Sequence, residues 1–171
     1  EIFTFQIFSI MGGLLAGTLL AIYTEKIILI PGMLILLPGL LEMRGNVSGS
    51  FASRLSSGLF LKVIKPYQLN TKIIRGNIIS TFIETLIVCL TLGLIATGAV
   101  YLIFNEISFK ILELAIFSGM LANLIEIPFS LFLTYFIFKN GHDPNNIIGP
   151  ILTSTGDVIC ILSLLITISI I

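Results

Sequence analysis

The sequence predicts an all-α membrane protein of five spanning helices, the second of them broken. Three observations predict it. The 171 residues are 56% hydrophobic and 11% charged, with a mean hydropathy of +1.11. Nine basic and nine acidic residues cannot supply the polar shell of a water-soluble fold of this length. The apolar residues fall into five stretches, each long enough for the roughly 20-residue helix that crosses about 30 Å of hydrocarbon.

Ile2 to Tyr23 has no charge and reads as the first span, ended by Glu25 and Lys26. Ile27 to Lys62 is too long for one helix and is interrupted by Pro31, Pro38, Glu42, Arg44, Gly45 and Asn46, so a broken helix is expected there. Irregular backbone is expected over Pro38 to Gly49, because such backbone is tolerated at membrane depth where protein or a wet cavity surrounds it. Ile78 to Phe104 is the third span and contains Glu84, expected in a vestibule or paired with Arg75 or Lys72. Leu112 to Phe138, with Asn123, Glu126 and Pro128, is the fourth. Asn145 to Ile171, with Pro150 and Asp157, is the fifth.

Basic residues in short loops set orientation. Lys62, Lys65, Lys72 and Arg75 lie between spans two and three, and Lys139 and His142 between four and five, whereas the opposite loops have only Lys26 and Lys110. The protein is therefore expected in the cell membrane as a multi-pass chain, N-terminus cytoplasmic and C-terminus extracellular. Residues 1–171 read as a single transmembrane domain with no cytosolic regulatory domain. Neutral net charge argues against a nucleic-acid partner. Cys89 and Cys160 lack metal-site or disulfide spacing and read as free buried thiols. Gly13 and Gly17 form a GxxxG pattern that permits close helix contact.

The informative residues are polar groups inside apolar spans. A charge at the bilayer centre costs about 2.5–3.5 kcal/mol on insertion scales, so an intramembrane acid calls for a partner or a wet cavity. Asp157 lies about 12 residues, roughly 18 Å, into the fifth span, and no second charge follows it in that span. Glu126 reaches a similar depth in the fourth span, with Asn123 three residues earlier on the same face. A divalent cation would neutralise such a pair of acids; alternatively Glu126 is protonated and hydrogen-bonded. Pro150, Thr153, Ser154, Thr155 and Gly156 place carbonyls and hydroxyls beside Asp157, donors that suit a hard ion. Asn46 and the carbonyls near Gly45 are further lining candidates, with Glu42 and Arg44 either paired or at the mouth.

Two motifs carry a family resemblance. PGLLEMRGNVSGSFASRLSS, from Pro38, resembles the proline, glycine-asparagine, arginine segment of the second helix of MgtE-type magnesium transporters and channels. GHDPNNIIGPILTSTGDVICIL, from Gly141, resembles that family's DP(D/N)N, proline and T-x-x-x-D segment of the fifth helix. The pattern is most similar to one half of the related animal solute-carrier magnesium transporters. Arg44 and Ser50 depart from bacterial members, which tend to have glycine and glutamine there, and Gly149 stands where they have asparagine. The resemblance implies a homodimer of five-helix protomers around a central cation pathway, embedded in lipid. It also implies Mg2+ as the transported ion and metal-binding roles for Asp157, Asn46 and Thr153. Glu126 and Asn123 complete the candidate metal-ligand set from their depth and face alone. The expected function is magnesium transport, not enzymatic catalysis. Two other readings remain: a non-transporting membrane subunit, and an intramembrane enzyme using Asp157 and Glu126 as an acid pair.

Overall fold

The computed structural model describes residues 2–66, 68 and 70–171, which leaves two positions of the connection between the second and third spans outside the described residues. Six helices follow one another, with no strand among the described residues: α1 (Ile2–Ile22), α2 (Thr24–Ile28), α3 (Met33–Phe60), α4 (Lys72–Phe104), α5 (Phe109–Lys139) and α6 (Pro144–Ile170). By length and composition α4, α5 and α6 are able to cross a membrane. Long α3 carries Glu42, Arg44 and Arg54 among its apolar residues, and α1 contributes the shorter apolar stretch Ser9–Ile22.

The bundle is organised around α3, which packs against α4, α5 and α6. Its buried residues Met33, Leu36, Leu40, Met43 and Val47 recur at three- and four-residue intervals, the period of one helix face. They meet Cys89, Ala96 and Val100 of α4, Ile111, Leu114 and Ala115 of α5, and Cys160 and Leu164 of α6. Both cysteines are free and buried, as expected. Outward, Leu94, Leu102, Leu124 and Phe132 stay exposed, which is the surface a bundle presents to hydrocarbon.

Two sequence expectations need correction. The second span is interrupted, but the break falls between α2 and α3, at Leu29–Gly32. Through Pro38, Gly45 and Asn46 α3 continues as one uninterrupted helix of 28 residues. Pro38 lies in its second turn, where a missing N–H removes one hydrogen bond, and packing on three sides holds the remainder in place. At the break Gly32 adopts φ +82°, and a Cβ there would run into the side chains of Val100 and Ile111. Both the left-handed conformation and the close approach of α4 and α5 therefore require glycine.

The second correction concerns α1, which lies against α6. Gly13 and Gly17 face open space, and it is Gly12 whose missing side chain admits Ser154 of α6. Asp143 caps α6 by accepting from the Asn145 N–H at 2.9 Å, with Pro144 in the first helical turn. This fixes the end of the helix that carries Thr153 and Asp157.

Gly32→Ala is expected to lower stability by about 1–3 kcal/mol, from the left-handed backbone and the overlap with Val100 and Ile111. Gly13→Ala, in open space, is expected to leave it nearly unchanged. Thermal unfolding of the two variants in detergent checks the contrast.

Candidate cation site

Three helices place charges at one level of the bundle. From α3, the Arg44 guanidinium reaches between α5 and α6, where Nη1 donates to Glu126 Oε1 at 2.5 Å and Nη2 donates to Asp157 Oδ1 at 2.7 Å. The same nitrogens lie 3.2 Å from the carbonyl of Leu152 and 3.4 Å from that of Thr153, one turn before Asp157. Arg44 is 4% exposed and Glu126 is fully buried, while Asp157 is 25% exposed. Asp157 therefore has a charged partner, which its own apolar run did not reveal.

The electrostatics of this triad leave one charge over. Opposite charges 4 Å apart attract by about 4 kcal/mol at an effective dielectric of about 20. That is comparable with the about 2.5–3.5 kcal/mol that each charge costs at the membrane centre. Two contacts join one guanidinium to two carboxyl groups, so with both acids ionised the triad carries a formal charge of one minus. Of the two acids only Asp157 reaches open space, so the uncompensated charge is available there. Gly156 makes the arrangement possible: a Cβ at that position would overlap both Arg44 Nη1 and Glu126 Oε1.

Asp157 opens onto a cavity of about 460 Å³ between α3 and α6, lined also by Glu42, Arg44, Gly45, Asn46 and Thr153. Asn46 Nδ2 donates to Glu42 Oε1 at 3.3 Å, which leaves the amide oxygen free to accept. Thr153 Oγ1 donates to the Gly149 carbonyl at 2.9 Å, so its lone pairs also remain. The lining thus offers hard oxygen donors of carboxylate, amide and hydroxyl type, with no soft ligand. A second cavity of about 420 Å³, lined by Gly49, Ser53, Asn145 and Gly149 among others, is formed by the same two helices. Glu42, Asn46, Gly49 and Ser53 on α3 and Asn145, Gly149, Thr153 and Asp157 on α6 repeat at three- or four-residue intervals, one stripe on each helix. The stripes run from the N-terminus of α6 to Asp157, and most of their residues are exposed.

Of the five expected metal ligands, the structure brings Asp157, Asn46 and Thr153 onto one cavity. Glu126 is not among its lining residues, because the acid faces Arg44 inside the bundle. Asn123 turns to α4, where its amide donates to the Thr85 hydroxyl. Three residues along a helix leave a rotation of about 60°, enough to split the two side chains between different neighbours. Glu42 and Arg44 are not paired with each other: Glu42 holds Asn46 on the cavity and Arg44 is buried behind it. Glu84 meets Arg54 of α3 at 3.6 Å, and Arg75 instead binds the Asn70 side chain. Among the described residues no group of three or more His, Cys, Asp or Glu side chains could hold a metal ion.

With the cavity and its acid placed, comparison with known proteins decides the family. The sequence profile of MgtE, described as a divalent cation transporter, matches residues 37–167. The chain belongs to the MgtE family. That match runs from α3 through most of α6 and includes Glu42, Arg44, Asn46, Glu126, Thr153 and Asp157. MgtE proteins transport divalent cations, so the family is one of transporters and not of enzymes. Neither the comparison with curated proteins nor that with solved structures found a match.

Glu126→Ala removes one partner of a buried charge pair and is expected to cost about 3–5 kcal/mol of stability. Glu42→Ala, on an exposed cavity wall, is expected to change it by less than about 0.5 kcal/mol. Unfolding midpoints of the two variants in the same detergent measure the difference.

Proposed function

We propose that this chain moves Mg2+ across the cell membrane through a pathway formed by two copies, with Asp157 as the mid-membrane ion site. The observation that carries the reading is the partly exposed carboxylate of Asp157, which shares one guanidinium with Glu126 and faces a cavity of about 460 Å³ walled by hard oxygen donors.

Magnesium fits this donor set better than calcium. Mg2+ keeps several waters and is held by one or two carboxylates, whereas Ca2+ takes six to eight oxygen ligands at flexible geometry. One protomer brings two carboxylates to the cavity, Glu42 and Asp157, with Asn46 and Thr153 beside them. At roughly 30 Å³ per water, the space accommodates an ion with its first hydration shell.

A second copy is supported by the position of the polar stripes. Glu42, Asn46 and Thr153 are exposed well inside α3 and α6, where contact with hydrocarbon is costly. Two copies meeting across this face enclose the stripes in a water-filled path and double the carboxylates at the ion. Five spans follow when α1 and α3 cross beside α4, α5 and α6, with the basic connections on the cytoplasmic side. In this reading Glu126 and Asn123 are placed behind the ion pathway, not in it.

Purified protein in liposomes is expected to take up Mg2+ down its gradient, and Asp157→Ala to slow uptake at least about tenfold, about 1.4 kcal/mol of lost stabilisation. No uptake by wild type would remove the transport reading. Uptake unchanged in Asp157→Ala would remove this site. Dependence of the rate on a sodium or proton gradient identifies a coupled carrier, and independence identifies a channel.

A further inference from the structure

Arg44 has a place in this site that metal coordination does not explain. It is a full positive charge, 4% exposed, within hydrogen-bond distance of the carboxylate proposed to bind a cation. A transport site that only needed to attract cations would gain nothing from it. Two features show that the fold is built to keep it there. Glu126, fully buried on α5, holds Nη1 at 2.5 Å from the side away from the cavity, and Gly156 on α6 leaves the space the pair occupies. Nη2 takes one oxygen of Asp157, and the Leu152 and Thr153 carbonyls fix the plane of the guanidinium against α6.

We propose that Arg44 is a tethered cation of the ion pathway: anchored from behind by Glu126, it occupies one oxygen of Asp157 and sets how tightly the site holds its ion. The proposal rests on the reading of Asp157 as the ion site. Arg44 is a positioning residue, acting through Asp157 and not by touching the ion.

The physical basis is charge. Three carboxyl groups, Glu42, Glu126 and Asp157, stand against one guanidinium around this level of α3, α5 and α6, a formal charge of two minus when all three are ionised. One divalent ion cancels it; one monovalent ion does not. Locally, a guanidinium hydrogen-bonded to one carboxylate oxygen at 2.7 Å offsets part of the acid's charge and repels a second cation, and so weakens its hold on a metal ion. A dehydrated divalent ion on a bare mid-membrane carboxylate would leave slowly, whereas conduction needs binding weak enough for release. Glu126 works in the opposite sense. It draws the guanidinium back and shares its charge, so that Asp157 keeps part of its own.

The signs of two substitutions distinguish this role from a structural one. Arg44→Gln is expected to lower the Mg2+ dissociation constant, by calorimetry on the purified protein, at least about tenfold. It is also expected to lower both the KM and the maximal rate of liposome uptake, because release becomes limiting. Glu126→Gln frees Arg44 to neutralise Asp157 and is expected to raise the dissociation constant. A purely structural role moves both variants the same way, toward weaker binding, and that result overturns the proposal, as does an affinity unchanged in both. Size-exclusion profiles and melting curves establish that each variant is folded. Where either single variant does not fold, Arg44→Gln combined with Glu126→Gln removes the opposite charges together. It is expected to bind Mg2+ more tightly than wild type, and an affinity within about twofold of wild type or weaker overturns the inference. Asp157→Ala serves as the reference. Loss of binding in that variant with Arg44 and Glu126 without effect sinks the tethered cation alone, whereas binding unchanged by Asp157→Ala sinks the site and the inference with it.

Discussion

A guanidinium bridging two carboxylates inside an apolar bundle is the constraint on which the arrangement of the other parts depends. Charges at membrane depth persist only when paired or wetted, and Arg44 pairs with Glu126 and Asp157 from three different helices. Because each contact offsets about one insertion cost, the triad adds little net stability but fixes α3, α5 and α6 at a common level, since withdrawing one partner strands a buried charge. The surrounding core conforms to it. Gly156 gives up a side chain where the pair crosses α6, and Met43 and Val47 of α3 stay on the apolar side while Glu42 and Asn46 turn to the cavity.

The triad also divides the polar residues into two sets with different surroundings. Glu126 and Asn123 are enclosed, one facing α3 and α6 and the other α4, and they hold helices in place. Glu42, Asn46, Thr153 and Asp157 face open space along one side of the bundle. Exposed polar surface at apolar depth is costly in lipid, and the second copy proposed to cover this face would both relieve that cost and enclose a path. On that proposal, membrane insertion, assembly and ion passage make the same demand on one stripe of α3 and one stripe of α6.

Much of this was legible in the sequence, and the rest was not for identifiable reasons. Apolar stretches marked all the long helices, with the ends of α5 and α6 within three residues of their expected positions. Depth in an apolar span drew attention to Asp157, and the resemblance of the two motifs added Asn46 and Thr153, which share its cavity. What could not be read locally was Arg44, whose partners lie 82 and 113 residues away. A usable signal existed: one basic residue and two acids at matched depths in three spans, with glycine directly before one acid. The expected distortion over Pro38 to Gly49 gave too much weight to single residues, because lateral packing on α3 overrides one missing hydrogen bond near a helix start. Asn123 was assigned to the face of Glu126 by spacing, yet α4 lies close enough to claim its amide for Thr85.

Direct imaging of the ion separates these alternatives most clearly. A cryo-EM map of the protein in lipid nanodiscs, compared with and without Mg2+, is expected to show two copies related by a twofold axis. Added density should lie in the cavity against the free oxygen of Asp157, with Arg44 still joining the other oxygen to Glu126. Ion density between Glu126 and Asn123, with Arg44 withdrawn from both acids, would contradict the account.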